Sequence, residues 1–340
     1  MSEPTETPMI RTRGLTKHFT RHKKTVEAVR GLDLDVHRGE LVAFLGPNGA
    51  GKSTTLRMLT TLVAPTSGTA EVAGYDVVTG QRDVRRSIGY VGQGNAAGHT
   101  QRGRDEMVSQ ARAHGLTRQE ASRRADELLE AFDLTEHAGR PVSTLSGGQR
   151  RRLDIAIGLV HTPRLLFLDE PSTGLDPQNR ANLQEQIKRL HTENGTTIVL
   201  TTHYLEEADA IADRVVVIDH GLVIADDTAS ALKSGLGDLV TLGFGSAHDA
   251  TVAESAAARL HGDASIERTG SVVTIRTRGG AEMVPQMVQD LAAAEAPVRR
   301  IEVAGPTLDD VFLDLTGRSL RESNNTTDET DAHTSEGAAA

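Results

Sequence analysis

The stretch Leu41-Val-Ala-Phe-Leu45-Gly46-Pro-Asn-Gly-Ala-Gly51-Lys52-Ser53-Thr54 decides the fold of this chain. Its five leading apolar residues predict a short strand that is buried on both faces. The glycine-rich turn leads into a helix predicted over 52–63, because Pro65 ends the helical pattern. A strand, a glycine-rich turn and a helix in this order are the local structure that a phosphate-binding loop requires.

The turn matches the phosphate-loop pattern G-x-x-x-x-G-K-[ST]. Backbone N–H groups at a helix N-terminus bind phosphate oxygens, and glycines let the backbone approach those oxygens closely. Lys52 adds a positive charge for the β- and γ-phosphates, and the Ser53 hydroxyl is a ligand for Mg²⁺. The predicted nucleotide-binding residues are Gly46, Pro47, Asn48, Gly49, Ala50, Gly51, Lys52, Ser53 and Thr54.

A second apolar run, Leu165–Leu168, is followed at once by Asp169 and Glu170. At the end of a buried strand, Asp169 is placed to hold Mg²⁺, and Glu170 is placed to orient and deprotonate a water. Two acidic residues after a strand are also common on protein surfaces, where they have no catalytic role. The phosphate-loop lysine 117 positions before Asp169 favours the functional interpretation.

Further apolar runs at 196–201 and 214–218 predict two more strands, and 180–193 predicts a helix that ends at Asn194-Gly195. Strands that alternate with helices predict an α/β fold with a parallel sheet, here that of a P-loop NTPase. Residues from about 102 to 160 carry no strand pattern, and a capping box at 117–120 begins a helix. This segment is therefore predicted to be a helical subdomain.

A third pattern, Leu145-Ser-Gly-Gly-Gln149, lies within that helical segment. Ser146 and two glycines at the start of a helix can bind an anion through backbone N–H groups. The same residues can equally form an ordinary Ser cap with two flexible glycines. Because one nucleotide does not need two such cradles from one chain, the pattern suggests contact with a second nucleotide.

Beyond about residue 230 the pattern of strands and helices changes. The order strand, helix, two strands, helix, strand predicts a small ferredoxin-like α+β domain over 231–320. The predicted strands are 239–244, 265–268, 272–276 and 298–303, and the predicted helices are 250–261, 282–295 and 308–316.

The composition limits the possible functions. The 340 residues suffice for about two domains, and 37 Lys+Arg against 47 Asp+Glu give a net charge of −10, which argues against a nucleic-acid binder. The absence of Cys excludes disulfides and thiolate metal sites. No apolar run approaches the roughly 20 residues of a membrane span. Residues 1–8 and the acidic segment 321–340 are predicted to be disordered.

The three motifs, in their order along residues 9–230, resemble those of the nucleotide-binding subunit of an ATP-binding cassette (ABC) transporter. The resemblance identifies them as Walker A, the LSGGQ signature and Walker B. It implies that Gln93 contacts Mg²⁺ and the attacking water, and that His203 contacts the γ-phosphate. It also implies that Asp176 faces a partner chain and that Phe19 stacks on adenine.

The same resemblance implies a complete site, with ATP and Mg²⁺ as cofactors. The residues implied for catalysis are Lys52, Gln93, Glu170 and His203, and those implied for the metal are Ser53, Gln93 and Asp169. Two copies would pair head to tail, and the residues implied for the partner's ATP are Ser146, Gly147, Gly148, Gln149 and Asp176. An integral membrane permease on a separate chain is the other implied partner. The resemblance also implies that this chain is a peripheral protein at the cytoplasmic face of a bacterial membrane.

The segment Leu308-Asp-Asp-Val-Phe-Leu313-Asp-Leu-Thr-Gly317-Arg318 is similar to the end of ATP-binding subunits from daunorubicin/doxorubicin-type drug exporters. It implies export of a drug or another hydrophobic compound, although its spacing also fits an amphipathic helix packed on its own domain. Importers and exporters of lipids or polysaccharides carry similar cassettes and stay open as alternatives. A soluble ABC ATPase is disfavoured by the single cassette and the absence of Cys.

Overall fold

A computed structural model describes residues 7–21, 24–94, 98, 100–260 and 264–320. The described residues form two compact units divided after Thr228, with Ala229–Ser319 in the second unit and Leu320 in the first. The predicted disordered segments, 1–8 and 321–340, lie outside the described residues except for residues 7 and 8. Among the described helices, none has the length and apolar composition needed to cross a membrane.

The first unit combines two sheets with a group of helices. Its strands are β1 (Ile10–Arg21), β2 (Lys24–Val36), β3 (Leu41–Leu45), β4 (Ser67–Val72), β5 (Tyr75–Asp76), β6 (Ile88–Val91), β7 (Leu165–Asp169), β8 (Thr197–Thr202), β9 (Arg214–Asp219) and β10 (Leu222–Asp227). Its α-helices are α1 (Lys52–Leu59), α2 (Gln81–Ser87), α3 (Gly103–Ala113), α4 (Arg118–Ala131), α5 (Gly147–Gly158), α6 (Pro177–Asn194) and α7 (Leu205–Ile211).

The six-stranded sheet has the order β10-β9-β3-β8-β7-β6. Its strands run parallel except β10, which pairs antiparallel with β9 at one edge. β3 and β7 are buried along their whole length, as their continuous apolar runs predict. The predicted α/β fold with a parallel sheet is therefore confirmed, and the carboxyl ends of β3, β7 and β8 meet at one edge of the sheet.

The first helix is shorter than predicted, because α1 ends at Leu59 rather than at residue 63. Thr61 adopts a left-handed conformation with a φ of 64°. The N–H group of Leu62 then bonds to the carbonyl of Arg57 over 2.8 Å, which closes the helix in a tight turn. The local turn thus ends the helix before the proline does, and the predicted boundary was wrong.

The four-stranded antiparallel sheet, in the order β2-β1-β4-β5, has no counterpart in the sequence prediction. β1 and β2 form a long hairpin that pairs from Ile10 and Val36 to Arg21 and Lys24. Register shifts along β1 interrupt the two-residue alternation of apolar and polar side chains. That alternation is the main signal for a half-buried strand, so the sequence pattern here is weak.

Helices α3, α4 and α5 lie in the segment predicted to be helical and pack against one another. The predicted capping box is present, because the Glu120 N–H donates to Thr117 Oγ1 and the Thr117 N–H donates to the Glu120 carboxylate. The Arg104 guanidinium binds both carboxylate oxygens of Asp126 at 2.6 and 2.7 Å, and this joins α3 to α4. Helices α3 and α4 therefore lie together beside α5.

The second unit is an α+β structure with its own core. Its elements are α8 (Ala229–Ser234), β11 (Asp238–Gly243), α9 (Ala247–Leu260), β12 (Ser265–Thr269), β13 (Val272–Thr277), α10 (Gly280–Ala293), β14 (Arg300–Ala304) and α11 (Leu308–Thr316). The antiparallel sheet has the order β12-β13-β11-β14, and its buried side chains cluster with those of α9 and α10. From β11 to α11 the order of strands and helices agrees with the predicted order, whereas α8 was not predicted. The ferredoxin-like assignment stays a prediction.

Candidate nucleotide-binding site

A cavity of about 390 Å³ opens over the phosphate loop, at the carboxyl edge of the parallel sheet. Residues 48–54 form most of its wall. Ala28 of β2, Gln93 after β6 and Glu170 after β7 complete the lining. Segments that are far apart in the sequence therefore converge on one small, polar cavity.

Two glycines of the loop allow this close packing. A Cβ on Gly46 would lie 2.0 Å from the carbonyl oxygen of Ile218. A Cβ on Gly51 would lie 2.4 Å from the carbonyl oxygen of Ala28, and the φ of 106° at Gly51 is itself unfavourable for other residues. Any larger residue at either position would displace the loop from its neighbours.

The N-terminus of α1 faces this cavity without a side-chain cap among the described residues. Gly51 is its N-cap residue and has no side chain that could accept a hydrogen bond. The first N–H groups of a helix have no partner within the helix, and they carry the positive end of its dipole. This arrangement favours an anion such as phosphate.

Lys52 lies almost completely buried in the loop. Its Nζ donates hydrogen bonds to the carbonyl oxygens of Gly46 at 2.6 Å and Pro47 at 2.9 Å. Burial lowers the pKa of Lys52 to about 8, although the charges of Glu170 and Asp169 oppose this effect. A phosphate bound beside the ammonium would favour its charged form and raise that pKa again.

Asp169 is fully buried at the end of β7. Its Oδ1 accepts hydrogen bonds from Ser53 Oγ at 2.7 Å and from Thr201 Oγ1 at 2.8 Å. Its Oδ2 has no hydrogen-bond partner among the described residues, and the Gln93 amide donates to Ser53 Oγ at 3.4 Å. A buried carboxylate oxygen without a partner, beside a hydroxyl and an amide, fits the oxygen ligands that Mg²⁺ prefers.

Glu170 has a left-handed backbone conformation, with a φ of 47°. Its N–H donates to Thr201 Oγ1 at 2.9 Å, and Thr173 Oγ1 donates to its carboxylate at 3.1 Å. Burial raises the pKa of Glu170, but the nearby His203 and the charge of Lys52 outweigh burial and hold it below its usual range. The carboxylate is therefore ionised at neutral pH and able to accept a proton.

His203, which follows β8, is brought against Glu170, with 3.5 Å between His203 Nδ1 and the Glu170 Oε2. The imidazole packs on the ring of Tyr204 at a centroid distance of 4.2 Å. The Arg180 guanidinium lies over the Tyr204 ring, 3.9 Å from the ring centroid. These neighbours hold the imidazole beside the carboxylate.

The loop before α5 is closed by its own side chains. The Gln149 backbone N–H donates to Ser146 Oγ at 3.2 Å, and the Gln149 side-chain Oε1 accepts from the Ser146 backbone N–H at 2.9 Å. The Gln149 amide nitrogen also lies 2.9 Å from His137 Nε2. Ser146 is therefore an ordinary helix cap within this chain. The Gln149 side chain, which the resemblance implies to bind ATP, makes its hydrogen bonds within its own chain.

The α5 start contacts the segment around Asp176. A Cβ on Gly148 would lie 2.4 Å from Asn179 Oδ1, so only glycine fits this contact. Asn179 donates from its backbone and its amide to the two carboxylate oxygens of Asp176, at 2.9 and 2.6 Å. Ser146, Gly147 and Asp176 are exposed, and the phosphate cavity of this chain has none of them among its described lining residues.

Phe19 is not brought to the cavity as the structure describes it. Its ring on β1 is 43% exposed, and the Lys17 ammonium lies 5.1 Å from the ring centroid.

Thr201 was not among the predicted site residues, although it bonds to both Asp169 and the Glu170 backbone. Its signal was a hydroxyl-bearing residue at the end of a buried strand, immediately before Thr202 and His203.

Comparisons with known proteins agree with this geometry. Residues 29–173 match the profile of the ABC transporter family. The chain is 42% identical, over 92% of its length and 93% of the relative's, to the daunorubicin/doxorubicin resistance ATP-binding protein DrrA of Streptomyces peucetius. It is 35% identical, over 88% of its length and 96% of the relative's, to the linearmycin resistance ATP-binding protein LnrL of Bacillus subtilis.

Among solved structures, the chain is similar to the dimeric ATP-binding cassette MJ0796 in a post-hydrolysis state with ADP and Pi. The TM-score is 0.60 at 26% identity, covering 65% of this chain and 98% of that one. A second neighbour is cbiO1 of Clostridium perfringens, with a TM-score of 0.61, 28% identity, and 67% and 91% of the two chains covered. The chain therefore belongs to the ABC transporter family, as an ATP-binding cassette that hydrolyses ATP.

Proposed function

We propose that the chain is the ATP-hydrolysing subunit of an exporter that moves a drug or another hydrophobic compound through a separate membrane permease. The observation that carries the proposal is one cavity lined by Lys52, Ser53 and Glu170. Asp169 accepts a hydrogen bond from Ser53, and His203 lies 3.5 Å from the Glu170 carboxylate. The names of the relatives, which refer to resistance against daunorubicin, doxorubicin and linearmycin, support the drug class. The chain would then work at the cytoplasmic face of a bacterial membrane.

The phosphate loop and the metal ligands bind the nucleotide in this proposal. Backbone N–H groups at the start of α1 and the Lys52 ammonium hold the β- and γ-phosphates. Ser53, Gln93 and Asp169 hold Mg²⁺, which when bound supplies a positive charge that stabilises the phosphate oxygens. The unpaired Asp169 Oδ2 supports this assignment.

Glu170 is the proposed general base. Its ionised carboxylate accepts a proton from water as the water oxygen bonds to the γ-phosphorus and the bond to the ADP oxygen breaks. His203, within 3.5 Å of that carboxylate, orients it and faces the γ-phosphate. The products are ADP and inorganic phosphate, and the accepted proton leaves Glu170 with the phosphate or to solvent.

Two copies of the chain complete two sites in the proposed dimer. The Ser146–Gln149 segment and Asp176 of one copy contact the ATP in the cavity of the other, through a surface on which Ser146, Gly147 and Asp176 are exposed. Phe19 stacks on adenine. An isologous head-to-tail pair gives two equivalent sites. The dimeric state of the similar cassette MJ0796 supports this arrangement.

The first experiment tests hydrolysis. Glu170→Gln keeps the shape of the side chain but removes the base, so we expect kcat to fall roughly 10²- to 10⁴-fold while ATP stays bound. Phosphate release by the purified chain measures this effect. Glu185→Gln, on the exposed side of α6, is the matched control and should keep the full rate. An unchanged rate in Glu170→Gln would remove Glu170 from the mechanism.

The second experiment tests transport. Inside-out vesicles that contain the chain and its co-purified permease should accumulate daunorubicin when ATP is added, and vesicles with Glu170→Gln should not. Accumulation that is independent of ATP, or absent while ATP hydrolysis continues, would contradict drug export. The second outcome would leave the ATPase assignment intact.

A further inference from the structure

Arg151, on α5, makes contacts that the proposed mechanism does not use. The side chain is only 8% exposed. Its Nε donates to the carbonyl oxygen of Pro171 at 2.8 Å, and its two terminal nitrogens donate to those of Gly92 at 2.6 Å and Asp169 at 3.0 Å. One guanidinium therefore holds three main-chain carbonyls from two separate segments of the chain.

Each of these carbonyls belongs to a proposed site residue or to its neighbour. Gly92 precedes Gln93, Asp169 is itself a proposed metal ligand, and Pro171 follows Glu170. The donors of a guanidinium are fixed in one plane, so the three carbonyls keep a defined geometry relative to α5. A shift of Gln93 or Glu170 would displace the guanidinium.

The neighbouring arginines of α5 do not make such contacts in the described part of the chain. Arg152 pairs with Asp133 at 3.8 Å, within the helical segment. Arg150 donates to the carbonyls of Val142 and Ser143, just before α5. Arg151 thus differs from both neighbours, because it joins α5 to the ends of β6 and β7.

The environment of Arg151 suits a permanent cation. Burial lowers the pKa of Arg151, and the charges of Asp154, Asp169 and Glu207 oppose this effect. A guanidinium keeps its proton throughout the accessible pH range. The link between α5 and the site therefore persists at any pH at which the protein is folded.

The N-terminal end of α5, near Arg151, is the loop that begins at the exposed Ser146. Arg151 lies five residues further along, or about 7.5 Å at the rise of an α-helix. Over this short distance the hydrogen-bonded turns of the helix fix the spacing between the two residues. Movement at Gln93, Asp169 or Glu170 would therefore reach Ser146 through Arg151.

We propose that Arg151 is a positioning residue that couples the nucleotide in a protomer's own phosphate loop to its Ser146–Gly148 loop, which acts on the partner's nucleotide. The inference rests on the proposed function, because it needs ATP in the cavity and a partner at the loop. It assigns to one side chain the communication between the two ATP sites of the dimer.

A spectroscopic test isolates this coupling within one protomer. The chain has no Cys, so Ser143→Cys, at an exposed position before the loop, gives a unique site for an environment-sensitive fluorophore. Ser146→Arg in the same chain prevents the head-to-tail pair. With Arg151 intact, MgATP should shift the fluorophore emission. In Arg151→Met the amplitude should fall at least fivefold, while the Kd for ATP, from calorimetry, stays within about threefold.

Arg152→Met is the matched control, one residue along the same helix, and it should keep the fluorescence change. Retention of the change in Arg151→Met, or an equal loss in Arg152→Met, would overturn the inference. The same holds if ATP binds the Arg151-intact chain but causes no change. Failure of that chain to bind ATP at all would instead contradict the proposed function.

Steady-state hydrolysis by the chain without the Ser146 and Ser143 substitutions gives a second readout. Arg151→Met should lower kcat about tenfold and reduce the Hill coefficient for ATP towards one, with KM within about threefold. Arg151→Lys keeps the charge but not the planar fork, and should give an intermediate kcat. A rise in KM with unchanged kcat would indicate an effect on ATP binding alone and overturn the coupling role.

Discussion

The starts of α1 and α5 are both glycine-rich, yet they are used differently. Gly51 caps α1 with a left-handed backbone and no side chain, so the first N–H groups remain available to a phosphate. At α5, Ser146 and Gln149 form a capping box that satisfies N–H groups within the chain. The start of α1 is left open to an anion, and the start of α5 is closed by its own side chains.

The surroundings of the two helix starts also differ. The α1 start lies beside Lys52 and Glu170 at a polar cavity, and Ser53 in its first turn bonds to the buried Asp169. The α5 start is exposed, and Gly148 packs against Asn179 rather than facing a cavity. A glycine-rich helix start is thus a complete site only where the tertiary structure adds charges and walls. The second start supplies half of a site, which a partner chain would complete.

The largest effect is expected at the complete site. Lys52→Ala removes the charge that faces the β- and γ-phosphates, so both ATP binding and hydrolysis should be lost, with less than about 1% of the activity remaining. Arg57→Ala, exposed on the same helix, is the control and should keep both. Calorimetry and phosphate release measure the two properties. Full ATPase activity in Lys52→Ala would break the comparison, because α1 would then not be the phosphate site.

A substitution at the start of α5 should lower the rate of ATP hydrolysis without weakening ATP binding to the monomer. Ser146→Arg places a bulky charge where the partner's nucleotide would lie, so kcat should fall roughly 100-fold. The Kd for ATP of the monomer should stay within about threefold, because the chain's own cavity is unchanged. Parallel measurement of kcat and monomer Kd checks this. Equal losses in both quantities would show that the α5 start belongs to the chain's own site.

The Kd for ATP should depend on pH only in a chain that retains Lys52. Its pKa of about 8 in the free chain means that the ammonium is mostly neutral at pH 9 and mostly charged at pH 7. Bound phosphate raises this pKa, so ATP binding takes up protons and the Kd should rise about tenfold from pH 7 to pH 9. Calorimetric titration over this range tests it. Lys52→Arg, which does not titrate, should show a flat profile, and a flat wild-type profile would refute the assigned pKa.

The smallest effect separates capping from function. Ser146→Ala and Thr117→Ala each remove one capping box, so each should lower the free energy of unfolding by about 1 kcal/mol. Only Ser146→Ala should also lower the ATPase rate, because Thr117 begins α4, away from the loop. Urea unfolding and phosphate release measure the two effects. A similar rate loss in Thr117→Ala would assign both effects to stability.

The sequence allowed the main candidate site to be located, because its signals are local. Continuous apolar runs marked β3 and β7, and the residues directly after them carried the chemistry. The antiparallel sheet was not predicted, because the bulges of β1 break the alternation of apolar and polar residues that would indicate a strand. The roles of Thr201 and Arg151 were not predicted for another reason. Each acts through contacts with residues tens of positions away, and no local pattern announces such contacts.

The sequence by itself determined which residues can bind phosphate and which strands are buried, because backbone conformation and burial follow from residue type and spacing over a few positions. Only the tertiary structure decided which of those residues meet. Parallel strand order brings Ser53 and Asp169, 116 residues apart, to within 2.7 Å. It also leaves Ser146 outside that cavity. Packing of the whole unit sets these distances, since no short segment contains both partners.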